Sequence, residues 1–563
     1  MREVLIVGAG PTGLTMAIEM LRRGVPCRLI DKLAEPTDKS KALAIHARTL
    51  EMLENMGVAK QAIDAGIKAF GFTMYTGNQR LMNFSTSDLD APYPFILMIP
   101  QQETERVLRE RFEELGGKVE REIELVSLSQ DDNEVTVQLK HADGKEEGAK
   151  TPWVLACDGA HSTVRKQVAL PFEGAAYEER FALGDVQIES NLREDEITTY
   201  FHEDGPMVFF PMGNKRFRSM ATVEESHVVG EAPALEFLDE IAKTRCGPDF
   251  KFVKSNWLAW FRIHRRSVPN YRVKRVFLSG DSAHIHSPVG GQGMNTGMQD
   301  AYNLAWKLAL VYNGLASESL LESYQDERHP VGQDLLKGTD FATKAAILRN
   351  PVAKFVRNQM ISFLGQQEFA QERLLKVGTM MSVNYRSSKL VGEYHELSDV
   401  RVHVSGDTES PTLPSWMEFA RAPLPGDRAP DTVLIDRDGK PTRLFEAIQG
   451  TKHNLILFDG KPTAAGYRLF QEIVLAMKRD YGDIVETHIV VAGKVVPDSL
   501  KSLSGIYRDP ELEAHARYGA QSEALYLIRP DGFIGFRAQP AKLQPLVAHI
   551  DKVLGRAALS VRV

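Results

Sequence analysis

The sequence is poor in cysteine, and its few cysteines are far apart. Only Cys27, Cys157 and Cys246 occur in 563 residues, and no two of them form a Cys-x-x-Cys pair. A disulfide framework needs paired cysteines, and a cysteine-rich metal site needs closely spaced ones. We therefore expect neither, and we interpret each cysteine as a small buried hydrophobic residue.

Long apolar runs and an excess of basic residues are also absent. The most apolar candidate, NLAWKLALVYNGL, is interrupted by Asn303 and Lys307, so we expect no membrane span. The net charge of −7 gives no reason to expect a nucleic-acid partner. The chain opens on a strand pattern, REVLIVGAG, where a secretory signal would stand, and we expect a cytoplasmic protein.

The strand and helix patterns predict an α/β protein with interleaved domains. A chain of 563 residues is too long for one hydrophobic core. VLIVGAG, GLTMAIEMLRRG and VPCRLID predict the strand, helix and strand of a Rossmann-like opening. Antiparallel strand patterns occupy about 180–265, and the parallel pattern then returns at RVFLSGDSAH, before a helix from about 293 to 312. This return to the first layer predicts interleaved domains.

The predicted boundaries follow these changes of pattern. Five prolines between Pro411 and Pro430 indicate a linker. We predict a Rossmann-like dinucleotide-binding domain in two parts, the first at 1–175 and the second, with a helical region, at 271–400. An antiparallel-sheet domain lies between them at 176–270 and also receives part of 70–100. A proline-rich linker at 401–430 then leads to a further α/β domain at 431–563.

A dinucleotide-binding fingerprint lies between the first strand and the first helix. GAGPTG supplies Gly8, Gly10 and Gly13 in the G-x-G-x-x-G spacing. These glycines permit a tight turn, a close approach of the backbone to a pyrophosphate, and close packing of helix on strand. The helix start then binds the phosphates. Asp31 ends the next strand, where its carboxylate accepts hydrogen bonds from ribose hydroxyls. The fingerprint does not distinguish FAD from NAD.

Three separated motifs give the chain a resemblance to a known family. They are GAGPTG, CDGAHSTVR and GDSAHIHSPVGGQGMNTGMQDAYNLAWKLAL. In this order, over about residues 1–400, they resemble the FAD-dependent aromatic hydroxylases, the single-component class A flavoprotein monooxygenases. The chain is most similar to the phenol, chlorophenol and aromatic-polyketide hydroxylases with a thioredoxin-like carboxy-terminal domain, on the stretches YGAQSEALYLIRPDGFIGFR and PGDRAPD.

The resemblance implies an activity and its partners. NADPH or NADH would reduce FAD while bound transiently, and dioxygen would form a flavin hydroperoxide that hydroxylates a small phenolic or polycyclic aromatic substrate. A homodimer is compatible with the sequence. Baeyer–Villiger insertion, oxidative ring opening, halogenation and reduction without oxygen insertion stay open, as does a non-catalytic flavin-bound sensor, because the fold alone does not decide among them.

The resemblance also implies which residues contact the cofactor. Asp281 would hydrogen-bond the ribityl or pyrophosphate part of FAD, and Pro288 through Asn295 would border the isoalloxazine ring. A helix start pointing at reduced, negatively charged flavin stabilises it by about 0.3–2 kcal/mol. The full set of implied FAD contacts is Gly8, Gly10, Pro11, Thr12, Gly13, Asp31, Lys32, Lys41, Arg48, Gln101, Val126, Asp158, Gly159, Asp281, Pro288, Gly291, Gln292, Gly293, Met294 and Asn295.

Several positions depart from the family pattern or have a second interpretation. Lys41 stands where the family has arginine, and it lacks the planar fork of a guanidinium. Leu43 stands where simple phenol hydroxylases have aspartate, so we name no general base. A salt bridge at a helix start would also explain Arg48. A capped turn would also explain Asp158, with Arg165 then a surface charge.

Pocket side chains are predicted from the antiparallel region. The strand MVFFPMG would form a substrate wall through Phe209, Phe210 and Met212, although a strand core would also explain these residues. The candidate pocket residues are Tyr200, Phe210, Arg218 and Pro288.

The remaining candidates predict no chemistry of their own. His284 and His286 lie close together in sequence, but no third ligand accompanies them, and we expect no metal. The terminal domain has no cysteine after Cys246, so a thioredoxin-like domain here would lack the redox thiolate. We interpret this domain as structural or as an association surface.

Overall fold

The computed structural model describes residues 3–37, 42–288, 290–348, 350–396, 413–460 and 467–556. The chain divides into two compact units, the first of residues 1–302 and 328–382 and the second of residues 303–327 and 383–563. None of the described helices is long and apolar enough to cross a membrane.

The first sheet of the first unit is mainly parallel and contains the predicted Rossmann-like opening. Val4–Val7 pairs in parallel with Cys27–Asp31 on one side and with Val154–Ala156 on the other. Val4–Val7 and Val154–Ala156 are wholly buried, as expected for central parallel strands. The strand order is Arg272–Val273, Val276–Leu278, Val154–Ala156, Val4–Val7, Cys27–Asp31 and Val119–Arg121.

A second sheet of eight strands, mostly antiparallel, is inserted into this unit. It takes two strands from before residue 100, so the two sheets are interleaved along the chain, as predicted. The strand order is His284–Ile285, Lys251–Ser267, Glu173–Glu189, Arg216–Val223, Met207–Gly213, Ile197–Phe201, Gly71–Thr76 and Gln79–Ser85. Two three-stranded sheets complete the unit. One has the strand order Glu146–Thr151, Val135–His141 and Ile123–Gln130, and the other has the order Ala44–Ile45, Ile96–Met98 and Ile67–Ala69.

Helices cover the first sheet and one face of the second. The helix after the first strand has Pro11 at its first position, where a missing amide hydrogen costs nothing. The helices up to residue 378 are Pro11–Arg22, Ala47–Asn55, Ala59–Asp64, Gln101–Glu114, Thr163–Gln167, Leu235–Cys246, Gly293–Tyr312, Glu322–Ala346, Pro351–Leu364 and Glu368–Gly378. Of these, Gly293–Tyr312 and Glu322–Ala346 contribute residues to both units.

The second unit is also α/β, built on one sheet of eight strands. Its central strand His453–Phe458 is buried throughout. The strand order is Gly392–His395, Ile534–Gln539, Ala524–Ile528, His453–Phe458, Val485–Val491, Ile506–Arg508, Val433–Ile435 and Pro441–Arg443. Its further helices are Leu413–Arg421, Leu444–Ala447, Arg468–Tyr481, Glu513–Arg517 and Leu543–Leu554.

The predicted linker differs from the structure where it is described. Residues 401–412 lie outside the described residues, but Leu413–Arg421 is a helix. Most of the prolines that predict the linker flank this helix and do not interrupt it, since Pro423, Pro425 and Pro430 follow its end. The predicted α/β class with interleaved sheets is confirmed.

Candidate cofactor and substrate site

The glycine loop after the first strand has the geometry of a phosphate-binding turn. Gly8 has φ +101°, and a Cβ at Gly13 would overlap the carbonyl oxygen of Gly8, so both positions require glycine. A Cβ at Gly10 would meet no atom within 4 Å. The helix that follows begins at Pro11 with no side-chain cap and no acidic residue in its first turn. The space above Gly10 therefore faces a helix start suited to an anion.

Asp31 fixes the shape of this loop. Its Oδ2 accepts a hydrogen bond from the amide of Ala9 at 2.8 Å, and its Oδ1 accepts one from the amide of Leu33 at 2.9 Å. A carboxylate has about four acceptor positions, so Asp31 keeps capacity for ribose hydroxyls. The neighbouring Lys32 is exposed.

Asp158 forms the capped turn that its sequence allows, and one of its carboxylate oxygens stays without a partner among the described residues. Its Oδ2 caps a short helix by accepting hydrogen bonds from the amides of Thr163 at 2.7 Å and Val164 at 3.1 Å. Its Oδ1 is buried and has no hydrogen-bond partner among the described residues. Burial raises the pKa of Asp158, and its hydrogen bonds offset only part of that effect. A buried polar oxygen without a partner is the group expected to contact a ligand hydroxyl.

Arg165 is not a surface charge, which corrects that alternative. The side chain is buried, with 5% of the residue exposed. Its Nη1 donates to the carbonyl oxygen of Ser282 at 3.0 Å, and its Nη2 donates to that of Ala160 at 2.8 Å. The guanidinium also lies 3.8 Å from the ring centre of Phe172. Arg165 thereby joins the Asp158 motif to the segment beside Asp281.

Glycines allow the third motif to approach the first. A Cβ at Gly280 would lie 2.7 Å from Oγ1 of Thr12, and one at Gly297 would lie 2.6 Å from the same atom. The amide of Gly280 donates to Oδ2 of Asp300 at 3.0 Å. Asp281 is exposed next to this contact. Motifs almost 270 residues apart in sequence are thus adjacent.

We call Pro288, Gly290 and Gly291 the edge loop. Gly290 and Gly291 have φ of +88° and +64°, a conformation that favours glycine. Asn295 holds the loop against another segment, because its Nδ2 donates to the carbonyl oxygens of Gly291 at 2.9 Å and Ala44 at 2.8 Å. Gln292 follows the loop, and Gly293 and Met294 begin the long helix.

His46 also holds the edge loop, and the sequence analysis missed it. The residue is 1% exposed, and its Nε2 lies 2.8 Å from the carbonyl oxygen of Gly290. Burial lowers the pKa of His46 to about 4, so the ring is neutral near pH 7 and Nε2 carries the proton for this bond. Its Nδ1 is buried without a partner among the described residues. The only sequence signal was a polar residue between a two-residue strand and a helix.

One face of the eight-stranded sheet carries a buried ion pair between aromatic side chains. Phe210, Arg218, Asp185 and Trp257 lie opposite one another on four successive strands. Arg218 donates from Nε to Oδ1 of Asp185 at 2.7 Å and from Nη2 to Oδ2 at 2.8 Å. Its guanidinium lies 5.5 Å from the ring centre of Trp257. Phe210 packs in the apolar cluster that contains Ala44.

Tyr200 lies on the opposite face of this sheet. Its ring stacks on Tyr75 with centres 5.1 Å apart and packs edge-on against Phe209 and Phe250. The helix Leu235–Cys246 covers the same cluster. Side chains alternate between the faces of a strand, so Tyr200 and Phe209 are separated from Phe210.

The other predicted residues have varied surroundings. Arg48 forms a buried ion pair with Glu51 at 2.7 Å. Gln101 accepts a hydrogen bond from the amide of Ala42 at 3.2 Å. Val126 is 43% exposed, and Pro288 is half-buried. Lys41 lies outside the described residues.

No metal site is found within the described part of the chain. His284 hydrogen-bonds Oδ2 of Asp300 at 2.8 Å, and Nδ1 of His286 lies 2.8 Å from the carbonyl oxygen of Ser287. One ring nitrogen of each histidine therefore has a partner within the protein.

A basic cavity of about 600 Å³ lies elsewhere in the first unit. Its charged lining consists mainly of cations, Arg265, Arg266 and Lys337, with His329 and one acid, Glu173. Nε of Arg266 is buried and has no hydrogen-bond partner among the described residues. Such a cavity is suited to an anionic ligand.

These features define a dinucleotide-binding protein with a second sheet, one face of which carries an ion pair between aromatic side chains. A family model described as an FAD binding domain matches residues 1–339. The pentachlorophenol 4-monooxygenase of Sphingobium chlorophenolicum is 33% identical over 99% of this chain and 97% of its own length. The 6-methylpretetramide 4-monooxygenase of Streptomyces rimosus is 32% identical over 98% of this chain and 93% of its own length.

The similarity extends to a solved structure over the full chain. The OxyS anhydrotetracycline hydroxylase from Streptomyces rimosus superimposes with a TM-score of 0.72 and is 27% identical, covering 99% of this chain and 100% of that one. The chain belongs to this FAD-binding family, and it is an FAD-dependent aromatic monooxygenase.

Proposed function

We propose that this protein hydroxylates a phenolic or polycyclic aromatic compound on the sheet face that carries Phe210 and Arg218. The observation that carries the proposal is the position of this face. Phe210 packs in one apolar cluster with Leu43 and Ala44, and the carbonyl oxygen of Ala44 is bonded to Asn295, which holds the edge loop. The substrate wall therefore adjoins the segment expected beside the isoalloxazine ring.

The residues present fit FAD. The open space at Gly10 and the uncapped helix start after it suit a pyrophosphate, and the unpaired Oδ1 of Asp158 suits a hydroxyl of the coenzyme. The implied contacts from Gly8 to Asn295 remain proposals at the level of single residues. When bound, FAD would accept two electrons from NADPH or NADH and would supply the activation of dioxygen.

Arg218 is the residue we assign to orient the substrate. Two of its nitrogens are held by Asp185, which fixes the plane of the guanidinium. Its Nη1 has no partner among the described residues, so it can donate to a phenolate oxygen. Stabilising the phenolate favours attack on an electron-rich ring carbon. A substrate that ionises readily then needs no dedicated base, which accounts for Leu43 in place of an aspartate.

The names of the relatives favour the same substrate class. One acts on pentachlorophenol and another on 6-methylpretetramide, and both are monooxygenases by name. In the overall reaction one oxygen atom of dioxygen becomes a hydroxyl group on a ring carbon and the other leaves as water, while NADPH or NADH supplies two electrons and a proton comes from solvent. We also propose that the protein is located in the cytoplasm.

The basic cavity is the docking place that we assign to the phosphates of the reductant. It contains three permanent cations, of which Arg265 is paired with Asp340 at 2.8 Å, and one acid, Glu173. NADPH carries more negative charge than NADH. Reversing the charge of Lys337 should raise the KM for NADPH several-fold and leave the KM for the aromatic substrate unchanged.

The second unit contributes no redox thiol. Its parallel strands His453–Phe458 and Val485–Val491, followed by the hairpin Ala524–Ile528 and Ile534–Gln539, support the thioredoxin-like assignment. We infer a structural role for this unit.

Heavy-oxygen labelling tests the reaction. Incubation with ¹⁸O₂, NADPH and a panel of chlorinated phenols and polycyclic phenols should give a product with one heavy oxygen atom and an intact aromatic ring. A ring-expanded or ring-opened product, or reductant oxidation that yields only hydrogen peroxide across the panel, would contradict the proposal.

Replacing Arg218 tests the assigned orientation. Arg218→Lys keeps the charge but loses the bidentate fork, so we expect the substrate KM to rise about tenfold and peroxide release to increase, with FAD content unchanged. Arg180→Lys is the matched control, because Arg180 makes a bidentate pair with Glu225 at the exposed surface. Equal effects of the two variants would contradict the role of Arg218.

A further inference from the structure

The helix Pro351–Leu364 exposes an apolar face. Its exposed apolar side chains follow Val352 at intervals of three, four and eight residues, which places them on one side of the helix. Single exposed apolar residues are ordinary, whereas a continuous row marks an interaction surface. The row, which we call the apolar stripe, consists of Val352 (72% exposed), Phe355 (64%), Val356 (49%), Met360 (56%) and Phe363 (63%).

The opposite side of this helix is fixed to the first unit. Arg357 is buried, and its Nη1 donates to the carbonyl oxygens of Ala345 at 3.1 Å and Ala346 at 3.2 Å. Its guanidinium lies 4.2 Å from the ring centre of Phe201. Lys354 donates to the carbonyl oxygen of Glu203 at 2.9 Å. Both cations of the helix are thus engaged on its inner side, and the apolar stripe is held outward.

We propose that the apolar stripe pairs with the same stripe of a second copy of this chain, as an antiparallel helix pair about a twofold axis. The stripe contains no charged residue, so pairing it with itself brings no like charges together. It is centred between Arg357 and Asn358, and a twofold axis at that point places Phe355 opposite Met360, and Val352 opposite Phe363, of the second copy. Four of the five stripe residues thus meet in pairs across the seam, and Val356 lies opposite Gln359 next to the axis.

The area and the charge pattern favour this occupant. The five side chains expose on the order of 500 Å² per copy, because a phenylalanine alone buries about 150–250 Å². Two copies together reach the roughly 1,000 Å² that a specific interface requires. Phe341 and Phe369, on the helices before and after, are also exposed, at 77% and 70%. A helix lying on a membrane surface would instead present cations toward anionic lipids, and here the cations face inward.

Sedimentation of the holoenzyme over a range of concentrations tests the proposal. We expect a reversible dimer with a dissociation constant on the order of micromolar. The double variant Phe355→Glu/Phe363→Glu should raise that constant at least about 100-fold, because four carboxylates would meet at the seam. The matched control, Val229→Glu/Val495→Glu, introduces the same charge at two isolated exposed valines, each 75% exposed, and should not change it.

A compensating variant tests the register. Phe355→Glu/Met360→Lys places opposite charges across the seam and should recover most of the association lost in Phe355→Glu alone. Gln359→Cys should form a disulfide-linked dimer on mild oxidation, because the position lies next to the axis. A monomeric holoenzyme at every concentration, a dimer insensitive to the stripe variants, or binding to neutral or anionic lipid vesicles without self-association would each overturn the proposal. Flavin content reports folding in every variant.

Discussion

Two buried charge clusters use neighbouring residues of the same helices, but only one of them supports a cofactor motif. In the first unit, Asp300 accepts hydrogen bonds from Nε of Arg328 at 2.7 Å and from His284 at 2.8 Å. Burial alone would raise the pKa of Asp300, but the charges of Arg328 and His284 outweigh it and lower the pKa. The same carboxylate accepts the amide of Gly280, next to Asp281.

The cluster of the second unit is larger, and its described contacts include no glycine of the first or third motif. Glu327 accepts hydrogen bonds from both terminal nitrogens of Arg529, at 2.6 and 2.8 Å, and from Lys307 at 2.7 Å. Asp531 also pairs with Arg529. Burial alone would raise the pKa of Glu327, but Arg529 and Lys307 outweigh it and lower the pKa. The cluster ties two helices to a hairpin within its own unit.

The comparison of the Asp300 and Glu327 clusters shows that burial of charge does not by itself mark a functional site. Breaking a buried ion pair is costly wherever it lies, because the remaining charge is left without a partner. Function follows only where the cluster also positions a group that contacts a ligand. Asp300 accepts the amide of Gly280, next to the proposed FAD contact Asp281, whereas the described hydrogen bonds of Glu327 reach no proposed FAD contact. The two carboxylates therefore provide a matched pair of experiments.

Asp300→Asn should have the largest effect, on both stability and cofactor retention. The change leaves Arg328 buried without its counter-charge, which costs about 3–5 kcal/mol of unfolding free energy. It also weakens the acceptor of the Gly280 amide, so the dissociation constant of FAD should rise about tenfold or more. Denaturant unfolding and flavin titration measure the two effects. Unchanged FAD affinity would remove the proposed link between cluster and motif.

Glu327→Gln should cost similar stability without a cofactor effect. Arg529 and Lys307 would then share only Asp531, and we expect a loss of about 3–5 kcal/mol. The folded fraction should bind FAD as tightly as the unchanged protein. Lys60→Gln is the control for loss of an ion pair, because the Lys60–Asp64 pair is exposed and should contribute under about 1 kcal/mol. Weak FAD binding in folded Glu327→Gln would abolish the contrast between the clusters.

Two glycine variants separate folding from binding within the first motif. Gly13→Ala places a methyl group on the carbonyl oxygen of Gly8, so we expect loss of a few kcal/mol of stability together with FAD binding. Gly10→Ala meets no protein atom within 4 Å and should fold normally, with FAD affinity lowered about tenfold by intrusion into the phosphate space. Equal melting temperatures for both variants would show that the loop does not require Gly13.

The smallest expected effect is a pH dependence that belongs to the second cluster alone. Burial lowers the pKa of Lys307 to about 8 from its usual value near 10.5. Between these values the unfolded chain binds a proton that the folded chain has released, so stability rises with pH across this window. Lys307→Met should remove on the order of 1–3 kcal/mol of that rise. The check is the difference in unfolding free energy between the two proteins from pH 7.5 to 10.5, and identical slopes would contradict it.

The first motif and the long helix were predictable because they depend on local sequence. The strand, the glycine spacing and the helix from Gly293 follow from side-chain size and periodicity over short windows. The family resemblance extended this to the cofactor. The thioredoxin-like assignment of the second unit stays a prediction, as do the individual FAD contacts and the placement of Lys41.

The arrangement around the pocket was less predictable. The strand MVFFPMG predicted one wall through Phe209, Phe210 and Met212, but side chains alternate along a strand, so Phe209 lies on the other face from Phe210 and Met212. Only the structure showed that Tyr200 shares the face of Phe209. Arg165 was open to a surface interpretation because its partners, the carbonyl oxygens of Ala160 and Ser282, are backbone groups that no side-chain pattern reveals.

Dinucleotide binding follows from the sequence alone, because a glycine turn between a strand and a helix is a local requirement of backbone geometry. The α/β class follows in the same way from the periodicity of the apolar residues. The folded structure was needed to show that His46 and Asn295 hold the edge loop, that Arg218 is fixed by Asp185, and that the apolar stripe faces outward. These contacts join residues distant in the chain, and their energies depend on burial, which is a property of the folded whole.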